Sequence, residues 1–141
     1  MDLRTQEIYR DSKVAIEIDE RLRYIYVEWQ QHIKGDDFRK LFSDAAAIAL
    51  DRKCHYWLSD ARAIHFVEFA DQNWMLREMT PLLLKSELIK FARISNKESM
   101  SLLDIQRVYS ELNNLGPQRP ATELEVFLTK EDALLWLFGD L

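Results

Sequence analysis

Two short segments near the start of the chain constrain its fold most. Val14, Ile16 and Ile18 alternate with Ala15 and Glu17, and Ile25, Val27 and Trp29 alternate with Tyr24, Tyr26 and Glu28. β-Branched and aromatic residues in such alternation favour a pleated strand over a helix. Asp19, Glu20, Arg21 and Leu22 are all that lies between the two runs, a spacing that fits a hairpin turn. A chain that opens on an antiparallel pair must build a sheet.

The period then changes. Phe38, Leu41, Phe42, Ala45, Ile48 and Ala49 recur at helical spacing behind Asp36 and Asp37, which suit a helix N-terminus, so residues 36–50 are read as a helix. Residues 55–59 read as a third strand and residues 68–79 as a second helix. Pro81 either kinks that helix or opens a further short one through Lys85. Residues 88–94 alternate as a fourth strand. Leu102, Ile105, Tyr109 and Leu112 fall on one helical stripe. Residues 123–128 alternate as a fifth strand, and Thr129 with Asp132 resembles a capping pair for a last helix over 130–138. The order β-β-α-β-α-β-α-β-α predicts an α/β fold: a single mixed sheet of about five strands, an antiparallel hairpin followed by parallel β-α units, with helices mainly on one face. Residues 1–141 are read as one domain, since the only loop-like stretch, residues 113–120, leaves too few residues after it to fold alone.

Composition narrows the function classes. Three glycines in 141 residues leave little material for a phosphate-cradling loop, and no P-loop, dinucleotide fingerprint or Gly-x-Ser-x-Gly elbow occurs. A formal charge of −5 argues against a nucleic-acid partner bound through its phosphates. One cysteine, Cys54, excludes an internal disulfide, and His32, His55 and His65 lack the spacing of a metal site, so no metal and no cofactor is expected. The longest apolar run, residues 45–50, is far shorter than the ~20 residues of a membrane span. Without an apolar leader at the start, the expected setting is the cytoplasm.

The strand alternation implies two unlike faces. One is aliphatic. The other would carry Tyr24, Tyr26, Trp57, Phe127 and by extension Phe91, with Glu17, Glu28, Arg93 and Glu125 among them. Aromatic residues mixed with charges on a half-open sheet make a candidate contact surface, with Tyr24, Tyr26, Trp57 and Phe127 as its interface residues. Alternatively, a terminal segment or long side chains cover this face, and a register slip of one residue would exchange the two faces.

Several strings carry a resemblance: Ile16-Glu17-Ile18-Asp19, Tyr26-Val27-Glu28-Trp29, Trp57-Leu58-Ser59-Asp60-Ala61-Arg62, Phe91-Ala92-Arg93-Ile94 and the closing Glu131-Asp132-Ala133-Leu134-Leu135-Trp136-Leu137. With the order of elements, they resemble the SpoIIAA-like proteins of the STAS superfamily, which includes anti-sigma-factor antagonists and STAS/SEC14-type domains. The resemblance implies a small α/β domain used for protein–protein regulation or for holding a ligand rather than for turnover. The antagonists' phosphorylated serine lies in an Asp-Ser-Ser-Gly-like string; here the region reads Ser59-Asp60-Ala61-Arg62, and that string is absent.

In open α/β sheets, ligands favour the crevice at the carboxyl ends of the parallel strands. Those ends collect Lys34, Asp60, Arg62, Ser95 and Lys97, with His32, Thr129 and Lys130 nearby, and the cations there could hold an anionic group. Equally, polar residues gather at strand ends to cap helices and satisfy backbone. The expected function is a non-enzymatic regulatory or protein-interaction module of STAS type, partnered by another protein or by itself as a homodimer. The alternative is a carrier or sensor of a small apolar or amphipathic ligand held between helices and sheet, which requires a cavity of roughly 300 Å³.

Overall fold

The computed structural model describes residues 2–139. The chain opens with β1 (Gln6–Arg10), followed by β2 (Val14–Asp19) and β3 (Tyr24–Trp29). β2 and β3 form the expected hairpin, with Val14 opposite Trp29 and Asp19 opposite Tyr24. Its turn is fixed by Asp19, whose buried carboxylate accepts the backbone N–H of Leu22 at 3.1 Å and of Arg4 at 2.8 Å. Arg23 closes the turn at φ 53.

β1 has no counterpart in the sequence reading. It pairs antiparallel with β2, only Ile8 is partly buried, and its register shifts between Glu7 and Tyr9. A polar edge strand with one inward side chain lacks the alternation by which strands are recognised.

After the hairpin, α1 (Gly35–Asp51), β4 (Tyr56–Asp60), α2 (Phe69–Lys85) and β5 (Lys90–Ile94) follow as β-α units. Next come α3 (Lys97–Leu102), α4 (Asp104–Asn113), a 3-10 turn (Gly116–Gln118), β6 (Glu123–Phe127) and α5 (Lys130–Phe138). The six strands lie in the sheet in chain order, and β3 to β6 are parallel neighbours. The fold is α/β with one mixed sheet, as the element order implied. No helix among the described residues is long and apolar enough to cross a membrane.

Two helices differ from expectation. α2 runs unbroken through Pro81; the carbonyl deprived of its N–H partner belongs to exposed Arg77, where water can serve it. The single stripe read from Leu102 to Leu112 is two helices, because Leu103 adopts φ 55, ψ 31 and turns the chain. Ile105, Tyr109 and Leu112 stay in the core, while Leu102 falls outside it at 58% exposure.

The main core lies between one sheet face and α1, α2 and α4. Trp57 is fully buried there, stacked against Phe91 at 4.9 Å and Phe42 at 5.7 Å between ring centroids. Asp71 clamps the starts of α1 and α2 together, accepting the Gly35 N–H at 2.9 Å and the Arg39 Nε–H at 3.0 Å. Gly35 needs its freedom here, at φ +62 on entry to the helix. The other face is covered by α5, which packs Ala133, Leu137 and Phe138 over Tyr24, Tyr26, Leu58, Ala92 and Ile94.

This layering corrects the two-face reading. Trp57 and Phe91 do not share a face with Tyr24 and Tyr26; they point into the main core. Tyr56 and Leu58 occupy the α5 side instead, since β4 begins one residue later than expected and side chains alternate. Nor is the Tyr24 face open. Tyr24 and Tyr26 are buried, the edge of Tyr24 meets the Phe138 ring at 5.3 Å, and Phe127 packs against Trp136.

Candidate functional site

The carboxyl ends of the parallel strands carry three groupings of polar and apolar side chains. The first lies on the α5 side. Tyr26 and Glu28 are two residues apart on β3 and so share a face, and Asp60 ends the neighbouring strand, paired in register with Glu28. The Tyr26 hydroxyl sits 2.8 Å from Glu28 Oε2 and 2.8 Å from Asp60 Oδ2. A phenol has one proton, so it can serve only one of these carboxylates at a time. Burial and the Asp60 charge push its ionisation well above the ordinary tyrosine value.

Arg62 folds back onto Asp60 through two bonds, Nε to Oδ1 at 2.9 Å and Nη2 to Oδ2 at 2.6 Å. Burial works to raise the Asp60 pKa, but the Arg62 bonds and the Tyr26 hydroxyl outweigh it and hold the group below the usual aspartate range. The Lys130 ammonium rests 4.1 Å from the centre of the Tyr26 ring. Each carboxylate in this grouping thus meets a donor, and the ammonium meets an aromatic face.

The second grouping is on the main-core side. Arg93 of β5 lies opposite Ser59 of β4 and is 2% exposed. Its Nε donates to Ser95 Oγ at 3.0 Å, and its Nη2 finds no acceptor among the described residues. The Tyr109 hydroxyl is also buried without a partner. Both residues line a small internal cavity with Trp29, Ser59, Phe38 and Phe91. About 10 Å³ is open to a water there, room for roughly one. That is far below the roughly 300 Å³ a carried organic ligand would fill.

The third is a rim outside the sheet. Asn96 caps α3 by accepting the Ser99 N–H at 2.8 Å, while its amide donates to the carbonyls of Arg62 at 3.1 Å and Ile64 at 2.8 Å. Buried Asp104 accepts the Val67 N–H at 2.7 Å and the Ser99 hydroxyl. These two side chains lash the β4–α2 loop to the α3–α4 corner. The loops so joined expose Phe66 and Phe69 from one side and Leu102 and Leu103 from the other, at 36%, 65%, 58% and 60%. Arg107 lies 4.4 Å over the Phe69 ring. The His32 ring packs at a tilt against His65 at 5.1 Å and Phe66 at 5.3 Å between centroids, and its Nδ1 accepts the His65 N–H. Among the described residues no three metal-binding side chains converge.

The residues named from sequence therefore divide. Asp60 and Arg62 meet. Lys34 sits before α1 and pairs with Glu68 at 3.2 Å; Ser95 faces inward to Arg93; Lys97 is exposed on the first turn of α3. They do not converge on one crevice, because alternation sends Asp60 and Arg93 to opposite faces. Of the proposed interface residues, Tyr24 and Tyr26 lie beneath α5, Phe127 is half-buried and Trp57 lies within the main core. Cys54 is buried, and burial pushes its thiol up to about 11, which leaves it unreactive at neutral pH.

Sequence reasoning missed the Tyr26–Glu28–Asp60 contact and the isolation of Arg93. The first had a visible signal, two polar side chains at i and i+2 on a strand. The second depended on knowing that the face of Phe91 is the covered one.

No family model, curated protein or solved structure matches the chain.

Proposed function

We propose that this chain is a non-enzymatic regulatory module of STAS type, set in the cytoplasm, that acts by protein–protein contact, and that a second copy of itself occupies the Phe66–Phe69–Leu102–Leu103 rim. The observation that carries this reading is the exposure of four large apolar side chains, Phe66 and Phe69 at the entry to α2 and Leu102 and Leu103 at the α3–α4 corner, on two segments that Asn96 and Asp104 hold together. Exposed apolar residues scattered singly need no explanation, but a fixed group of them does. At typical side-chain sizes they present roughly 400 Å² of apolar surface. A stable dimer buries about 800 Å² per partner, of which somewhat more than half is apolar. The rim is matched to that requirement. Its charges come in both signs, with Lys34, Lys97 and Arg107 beside Glu68 and Glu98, as a self-complementary contact about a two-fold axis needs.

Leu103 gives the test its edge. A leucine at positive φ is strained, whereas asparagine tolerates that conformation. Leu103→Asn combined with Phe69→Ser should therefore leave the fold at least as stable while removing the apolar contact. Sedimentation equilibrium across the micromolar range is expected to show a wild-type dimer and a monomeric double variant. A wild-type monomer throughout, or a dimer unaffected by the two substitutions, sinks the reading.

A further inference from the structure

Arginine is almost never found buried without a counter-charge, because its guanidinium stays protonated at any accessible pH. Arg93 is such a case. The Asp104 charge acts on it electrostatically but makes no ion pair with it, its two oxygens being engaged by the Ser99 hydroxyl and the Val67 and Ile105 amides. Of the other buried carboxylates at this end of the sheet, Asp60 lies on the far face in the grip of Arg62, and Asp71 is engaged by the Gly35 N–H and the Arg39 guanidinium.

The cavity beside Arg93 supplies what the protein does not. Three donors line it. Among the described residues the Arg93 Nη2 and the Tyr109 hydroxyl lack partners, and the Ser59 hydroxyl accepts from Trp29 Nε1 at 3.0 Å, which leaves its own proton to give. The remaining lining is aromatic and Met75, with no carboxylate and no carbonyl side chain among it.

From this geometry we propose that the Arg93 cavity is a binding site for one small monovalent anion of about chloride size, held by Arg93, Tyr109 and Ser59. The space limits the occupant to one small species: it admits a single water as it stands, and a chloride, being larger, enters with a small outward shift of the Tyr109 ring. The sign follows from an uncompensated cation surrounded by donors. Tyr109 also forms part of a surface groove between α4 and β6, with Gln106, Ser110, Asn113, Val126 and the carboxylate of Glu125, so rotation of its ring is the entry path, and Glu125 slows an anion's passage without touching the cavity itself. The site is separate from the rim, and its failure would leave the dimer proposal standing.

The test uses the full chain and chloride as the probe. Thermal unfolding is followed in sodium chloride against sodium gluconate at equal ionic strength, gluconate being too large for the cavity. The wild type should melt higher in chloride, the midpoint climbing with the logarithm of concentration once the site fills. Arg93→Met should abolish that difference. Should that variant not fold, Tyr109→Phe, which removes one donor and little volume, should shrink it. A crystal soaked in bromide should show anomalous density beside Arg93 Nη2. Equal midpoints in chloride and gluconate, or a chloride response undiminished in these variants, overturn the proposal. Density at soaking concentration without any solution effect means an adventitious ion only and overturns it as well.

Discussion

The two faces of the sheet bury opposite charges near the ends of neighbouring strands, and they treat them differently. On the α5 face, Asp60 is matched by Arg62 and the Tyr26 hydroxyl. On the main-core face, Arg93 keeps a guanidinium nitrogen without an acceptor. In register, Asp60 stands opposite Ile94 and Arg93 opposite Ser59. A shift of one residue between β4 and β5 would have put carboxylate and guanidinium side by side, so the sheet itself is what keeps this natural ion pair apart. The difference teaches that burial of a charge is not one condition: the α5 side resolves it within the chain, while the main core leaves it to be resolved from outside.

The largest expected effect tests which face carries the fold. Trp57 is sandwiched between Phe42 and Phe91, and Trp57→Ala should cost about 3–5 kcal/mol in urea unfolding. On the thinner α5 side, Leu137→Ala should fall nearer the lower end of the about 2–5 kcal/mol usual for such truncations. Equal losses would mean that the two faces contribute alike.

Next in size, and opposite in sign, come the two charges. Asp60→Ala strips Arg62 and Tyr26 of their acceptor and should destabilise by about 1–3 kcal/mol, the half-exposed Arg62 keeping the figure modest. Arg93→Met, in chloride-free buffer, should be neutral or stabilising by up to about 1–4 kcal/mol, as when buried charges give way to apolar side chains. A destabilising Arg93→Met would erase the contrast between the faces.

A smaller effect probes the shared proton. Tyr26→Phe removes the hydroxyl between Glu28 and Asp60 and should cost about 1 kcal/mol, read as a lower urea midpoint. The smallest is a pH effect. The folded pKa of Asp60 is depressed, so the stability it contributes is fully present above the unfolded aspartate value near about 3.9 and is lost as pH falls through the lower folded value. Below about pH 4, the wild type should therefore lose stability more steeply than Asp60→Asn. Parallel acid curves would place the proton-linked stability elsewhere, Asp19 being the first alternative, since its backbone partners likewise hold it low.

Much of this architecture is written locally. The hairpin and the last helix with its Thr129 cap follow from neighbours within a few residues, and both stand where the pattern put them. Where structure depends on distant partners, the pattern is silent. β1 exists because β2 offers an edge, not because Gln6 to Arg10 favours a strand. The break at Leu103 depends on Asp104 reaching the Val67 amide, 37 residues away in sequence. The strand-end residues were visible as types, but which of them meet is decided by face, and the face of β4 turned on a boundary misplaced by one residue. The fold was thus more readable than the site.

Among the described residues the sheet also leaves two unpaired borders, β1 on one side and β6 on the other. A β1-to-β6 contact between copies would be head-to-tail, with no symmetry to close it, and would grow into a fibre. The register shift in β1 twists that border out of line, and Glu123 and Glu125 add charge to the opposite one. What looks like an irregular first strand thus works against open-ended edge pairing between copies.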